Sequence, residues 1–138
     1  MSLIMLALLS GCANEDIGYR FVAEGSTEPL SLMASEARSF VCVVAVYRAS
    51  SSSKPPALAI GFEPWSVAPL TERTNEMAIE MRALKNAAGC WSEEIREASG
   101  SSDPWHYLIG AKPLTSFDHG GNIAMFDPQR NIFIAVSG

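Results

Sequence analysis

A chain of 138 residues has the usual length of one domain and is long enough to bury a hydrophobic core without help from metal ions. Hydrophobic residues make up 48% of it and charged residues only 18%, a balance that excludes intrinsic disorder. The net charge of −5, with lysine and arginine scattered along the chain, argues against nucleic-acid binding, because phosphate recognition needs clustered basic side chains.

The N-terminus carries the most specific motif of the chain. Residues 3–9 form an apolar run that is too short to span a bilayer, which takes about 20 residues, but has the length of a signal-peptide core. The motif Leu9-Ser10-Gly11-Cys12 follows and resembles the lipobox of bacterial lipoproteins, in which a cysteine receives a diacylglycerol thioether. The resemblance covers residues 1–12 alone, and it departs from the usual pattern because no lysine or arginine precedes the apolar run.

The resemblance implies a division of the chain. Residues 1–11 are then a signal peptide, and residues 12–18 are a tether that begins with Cys12, lipidated with palmitate-type chains. Residues 19–138 are a single α+β domain facing the periplasm, and Ala13 favours the outer membrane, because such proteins retained at the inner membrane often carry aspartate there. The alternative interpretation is a buried N-terminal strand whose cysteine belongs to the core.

Two apolar stretches predict strands in the first half of the domain, and a shorter piece at residues 19–23 is strand-like. Residues 39–47 are continuously apolar and rich in β-branched side chains, which is typical of a central strand buried on both faces. Residues 57–62 predict a second strand, paired with the first across a serine-rich loop.

Residues 71–99 are the only segment with a long helical period. Thr71 is a plausible N-cap, and one narrow apolar face is predicted to be buried. That face consists of Met77, Met81, Leu84, Ala88, Trp91, Ile95 and Ala98.

Two cysteines remain besides the one in the lipobox, and an exported protein permits a disulfide between Cys42 and Cys90. On one continuous helix Cys90 points away from the apolar face, so the bond requires a helix stop or bend at Gly89. The alternative is two free cysteines that are buried as small apolar residues.

Three short strands are predicted after a turn at residues 100–104. They cover residues 105–111, 121–126 and 132–137, with a hairpin loop at residues 127–131. The predicted fold class is therefore α+β, with a mainly antiparallel β-sheet of about five strands and one long α-helix packed on one face.

Catalytic motifs are mostly missing from the sequence. Ser51-x-x-Lys54 formally matches a serine-acylase motif, but two prolines follow where a helix should start, so chance explains it better. His106 is predicted to be a structural side chain within a strand. Asp118 and His119, followed by two glycines, form the more interesting loop, for which a polar turn is the simpler interpretation.

These features favour a binding protein over an enzyme, with no cofactor and no metal. The first hypothesis is a lipid-anchored inhibitor or immunity protein that neutralises a toxin or hydrolase attacking the cell wall or lipids. The second is a structural accessory of a secretion or envelope machine, and the third is an enzyme using Asp118 and His119. The predicted partner-binding residues are Asp103, Trp105, Asp118 and His119, with an acidic helix flank of Glu72, Glu76, Glu80 and Glu94 as the alternative surface.

Overall fold

The computed structural model describes residues 17–24, 30–38, 42–50, 54–67 and 78–138, and these ranges form an α+β fold. The five strands make one antiparallel sheet in the order β1-β2-β5-β4-β3, which confirms the predicted fold class. In chain order the elements are α1 (Gly18–Phe21), β1 (Ser31–Arg38), β2 (Cys42–Arg48), α2 (Ala78–Gly89), α3 (Glu93–Ser99), α4 (Pro104–Ala111), β3 (Leu114–Phe117), β4 (Asn122–Asp127) and β5 (Ile132–Ser137).

Both faces of the inner strands β2, β5 and β4 are buried. Because side chains alternate along a strand, β2, β4 and β5 each supply apolar residues to two separate cores. On one face Val44, Met125 and Ile134 pack against α2, α3 and α4. On the other face the larger rings of β2, β4 and β5 pack under α1 and residues 58–65. The predicted strand over residues 39–47, buried on both faces, is confirmed for residues 42–47, whereas residues 39–41 lie outside the described ranges.

The neighbour of β2 differs from the prediction. Residues 57–62 are not a strand; only Leu58 pairs, in an isolated bridge with Val22. The neighbours of β2 are β5 and β1, and β1 lies at the sheet edge with mostly exposed side chains. That exposure explains why β1 lacks the apolar signal of a strand. The short strand β3 was missed for a related reason, since four residues carry too little pattern.

The predicted helix over residues 71–99 is divided into two. The helix α2 ends at Gly89, the chain turns, and Ser92 caps α3 by accepting a hydrogen bond from the Ile95 backbone N–H at 3.3 Å. The buried face of α2 also differs from the prediction, because Met81 and Ala88 are exposed, whereas Ala83 and Ala87 are buried. Small side chains allow α2 to approach the sheet closely. The buried set is Ala83, Leu84, Ala87 and Cys90.

The turn after Gly89 directs Cys90 into the core, where it forms a disulfide with Cys42 at the start of β2. Both residues are buried, and their Cα atoms are 6.2 Å apart. The predicted disulfide is therefore confirmed, together with the helix break on which it depends. The bond joins the helix layer to the sheet.

Two predicted strands are helical. Residues 105–111 belong to α4, because Asp103 caps a helix whose first residue is Pro104, a favourable start. Residues 19–23 overlap α1, in which Ile17 and Phe21 are buried at helical spacing. Both segments are apolar, and short apolar runs do not distinguish a strand from a helix by period alone.

The hairpin between β4 and β5 is attached to the helix layer by Arg130. Its guanidinium donates to the buried carboxylate of Asp127 at 2.8 Å and to the carbonyl of Ser99 at 2.8 Å. Ser99 is the last residue of α3, so Arg130 satisfies a helix C-terminal carbonyl and lies where a cation is favourable. The predicted hairpin loop at residues 127–131 is confirmed.

Several predictions concern residues outside the described ranges. They include the lipobox with Cys12, the predicted helix start at Thr71, the acidic residues Glu72 and Glu76, and Ser51 of the serine loop. Ile17 and Gly18, which the sequence interpretation assigns to the tether, are buried against the domain.

Replacing Cys42 and Cys90 together by alanine is expected to lower the free energy of unfolding by roughly 4 kcal/mol, because the bond closes a loop with a sequence separation of 48 residues. Urea unfolding of the purified protein measures this loss. A reducing agent should destabilise the wild type similarly and leave the double variant unchanged. Cys12→Ser, which keeps the pair, is the matched control. Titration of both Cys42 and Cys90 as free thiols in unreduced, denatured protein would contradict the bond.

Candidate functional site

The predicted partner-binding residues lie on two separate surfaces. Asp103 and Trp105 are at the start of α4, and Tyr107 of that helix packs in the helix-side core. Asp118 and His119 precede β4. Asp103 follows Ser99 by four residues, and Arg130 joins Ser99 to the hairpin at the other end of β4. The structure therefore does not bring the two aspartates together.

The first surface, called the α4 surface, consists of Asp103, Trp105, His106 and Ile109. Asp103 has an extended backbone and acts as the N-cap, with its Oδ1 accepting from the His106 backbone N–H at 2.8 Å. Its Oδ2 lies 2.6 Å from Nδ1 of the His106 ring. The carboxylate is thus held by two contacts from one residue of its own helix.

These contacts affect the ionisation of Asp103. The His106 backbone N–H, which donates to the carboxylate, is the largest influence and lowers the pKa of Asp103 below its ordinary value. Partial burial opposes this effect, and the His106 side chain adds to the lowering. Asp103 therefore presents a stable negative charge at neutral pH.

The rest of the α4 surface combines an imidazole and an apolar side chain. His106 is 72% exposed and Ile109 is 74% exposed, and their spacing of three residues places them on the same side of the helix. Trp105 is half-buried and packs against the helix-side core. A carboxylate, an imidazole and an isoleucine thus lie in one row along the helix.

The helix α4 is held in place by Tyr107, whose ring is fully buried beneath this row. Burial is the largest influence on its phenol and raises its pKa, and the charge of Asp127 adds to the effect. Its hydroxyl has no hydrogen-bond partner among the described residues. Tyr107 therefore contributes packing and a neutral phenol at physiological pH.

The second surface, called the glycine loop, is residues 118–122. Oδ1 of Asp118 accepts from the backbone N–H of Gly120 at 2.9 Å and of Asn122 at 3.1 Å, while Oδ2 accepts from the Asn122 side chain at 2.6 Å. His119 and Gly121 both have positive φ, of 62° and 89°. The carboxylate of Asp118 therefore shapes a tight turn, as an aspartate before glycines often does.

His119 has a partner that the sequence did not indicate. Its Nε2 lies 2.8 Å from Oε1 of Glu63, and both side chains are partly exposed. Glu63 is 56 residues earlier in the chain and is placed there because residues 63–66 pair with the outer edge of β3. No local pattern predicts a contact of this separation, so sequence reasoning missed Glu63.

The chemistry of the glycine loop follows from these partners. The carboxylate of Asp118 accepts hydrogen bonds from Gly120 and Asn122, whereas the ring of His119 contacts Glu63. Asp118 therefore does not orient the imidazole of His119 as the carboxylate of a catalytic pair would. Among the described residues, no group of three or more histidine, cysteine, aspartate or glutamate side chains is arranged to hold a metal ion.

Comparison with protein-family models, curated proteins and solved structures found no match to this chain. Within the part of the chain that the structure describes, no helix has the length and apolar character needed to cross a bilayer.

Asp103→Ser is expected to lower the thermal unfolding midpoint less than Asp103→Ala, because serine retains an oxygen that can cap α4. The difference between the wild type and Asp103→Ser should also depend on pH. Because the folded-state pKa is lowered, the stabilisation by the carboxylate is complete above the ordinary value of 3.8 and is lost as the pH falls through the lower folded-state value.

Circular dichroism melts from neutral pH down to about pH 2 measure this dependence, which should appear in the acid range where aspartate titrates. Glu97→Ser, at an exposed position of α3, is the control. A wild-type advantage that stays constant down to the acid limit would show that the charge of Asp103 does not contribute.

Proposed function

We propose that this protein is a lipoprotein of the bacterial cell envelope, anchored through Cys12 and facing the periplasm, that binds another protein. The partner class we propose is a toxin or hydrolase that attacks the cell wall or lipids, with this protein as its inhibitor or immunity factor. The lipid anchor and the binding role have separate support.

The disulfide between Cys42 and Cys90 is the single observation that carries the proposal of export. Buried structural disulfides form and persist in oxidising compartments such as the periplasm, and are rare in the bacterial cytosol. The sequence contains three cysteines, so the bond leaves Cys12 as the one available for modification. That cysteine is the one in the motif that resembles a lipobox.

The binding role is supported by the composition of the α4 surface. An ionised carboxylate, an imidazole and a largely exposed isoleucine lie on one helix whose opposite side is fixed in the core. A rigid helix with an apolar side chain beside charged groups is suited to a protein interface. The carboxylate of Asp103 would suit a partner with a cationic cleft.

The proposed anchor predicts that Cys12 is the first residue of the mature protein and carries acyl chains. A diacylglycerol thioether with an amide-linked chain supplies more than the two chains that stable attachment needs. Mass spectrometry of the membrane fraction should find a lipid-modified peptide that begins at Cys12, and Cys12→Ser should release the protein from the membrane. Cys12 is also the residue whose replacement leaves the disulfide intact, so a folding defect is not expected. Native protein that begins with an unmodified Met1 would refute the anchor.

The binding role predicts that one of the two surfaces, rather than both, controls capture of the partner, because they lie at opposite ends of β4. Asp103→Ser keeps a capping oxygen, and Asp118→Asn keeps acceptors for the loop, so each variant removes charge with limited effect on folding. We expect at least ~10-fold weaker capture for the variant on the binding surface. Affinity capture from the secreted proteins of the producing strain, with Glu97→Ala as the control, measures the effect.

Each result of this capture has a distinct meaning. A toxin or hydrolase lost selectively with one variant supports the proposed inhibitor, whereas a component of a secretion machine would support the accessory role instead. Equal recovery by both variants and the wild type would exclude the two surfaces and direct attention to the alternative acidic residues, Glu72, Glu76, Glu80 and Glu94.

A further inference from the structure

The chain enters the fold at a fixed point on the sheet face opposite the helices. The backbone N–H of Gly18 donates to the Tyr47 hydroxyl at 2.7 Å, and Ile17 and Phe21 are both buried in the second core. A Cβ atom on Gly18 would lie 2.6 Å from the Tyr47 ring, so glycine is required for this close contact. Ile17 and Gly18 therefore cannot move away from the sheet without disrupting the core.

A turn of the chain lies beside α1. The backbone N–H of Ala59 donates to the Phe21 carbonyl at 2.9 Å, that of Ala23 donates to the Ala57 carbonyl at 2.8 Å, and the rings of Phe21 and Phe62 are 5.2 Å apart. Residues 57–62 are thus held against α1 by backbone hydrogen bonds and ring packing.

The outer surface of α1 and this turn has exposed apolar and basic side chains. Tyr19 is 64% exposed, Arg20 is exposed, and Ile60 is fully exposed at the tip of the turn. These three residues are called the α1 face. Tyrosine is enriched where proteins meet the headgroup region of membranes, because its ring is apolar and its hydroxyl polar.

The length of the chain before α1 limits how far this face can lie from a lipid on Cys12. Four residues separate Cys12 from Ile17, so even a fully extended chain keeps the Cα atom of Ile17 within about 18 Å of the Cα atom of Cys12. The tether is therefore shorter than the domain is wide, and the side of the domain that carries Ile17 must be the side nearest the bilayer.

We propose that the α1 face contacts the phospholipid bilayer, with Tyr19 and Ile60 inserted among the headgroups and Arg20 at the phosphates. This inference rests on the proposed lipidation of Cys12. The contact is mainly apolar rather than electrostatic, because Glu15, Asp16 and Glu24 lie close along the chain and offset the charge of Arg20. The helix layer, on the opposite face of the sheet, then points away from the membrane.

Tryptophan substitution combined with bromolipid quenching tests this orientation. The acylated protein, purified from membranes, is reconstituted into zwitterionic phosphatidylcholine vesicles that contain a brominated lipid. The variants are Tyr19→Trp and Ile60→Trp on the α1 face, and the matched control is Ile109→Trp, at a largely exposed apolar position on the helix side. Each carries the same three native tryptophans, so the difference from the wild type reports the added one.

We expect about twofold stronger quenching of the added tryptophan in Tyr19→Trp and Ile60→Trp than in Ile109→Trp, on vesicles to which all variants float equally. Equal flotation with equal quenching at all three positions, or with stronger quenching at Ile109, would overturn the membrane contact while leaving the anchor in place. Protein that does not float would overturn both the anchor and the inference. If Ile60→Asp loses capture of the partner and tryptophan at position 60 is not quenched, the α1 face binds a protein and does not contact the bilayer.

Discussion

Burial of the sheet on both faces is the constraint on which the rest of this structure depends. The three inner strands alternate apolar side chains above and below the sheet, so neither face tolerates water. Three helices cover one face. The other is covered by one helical turn and an irregular segment, which bring Phe21, Phe62 and Trp65 against the rings of the sheet. Ile17 and Phe21 are therefore part of the core.

The helix layer depends on a turn of a few residues. Gly89 ends one helix and Ser92 begins the next, and the turn between them directs Cys90 to the sheet. The disulfide joins that turn to β2, while Arg130 joins the end of α3 to the opposite hairpin. The layer is thus held at two distant points, one covalent and one through a charge-assisted hydrogen bond.

The two sides of the molecule suit different partners. The α4 surface presents charged and apolar side chains on a helix that Tyr107 holds in the core, whereas the α1 face presents a tyrosine and an isoleucine on the other side of the sheet. Under the proposed anchoring, a short tether holds one side at the bilayer and leaves the other accessible to a protein. The glycine loop lies at the sheet end remote from the start of α4, so its histidine and Glu63 form a separate surface.

The sequence by itself determined the fold class, the continuous apolar strand β2 and the final hairpin, because these depend on composition and local period. The number of cysteines allowed a bond between Cys42 and Cys90, but the helix end at Gly89, which the tertiary structure shows, decided it. Only the tertiary structure decided that residues 105–111 are helical, that exposed β1 pairs with β2, and that Glu63 meets His119. A short apolar run fits either a strand or a helix, so its packing against the rest of the fold decides which of the two it forms. An edge strand needs no apolar pattern, and a contact between residues far apart in the chain exists only once the sheet brings them together.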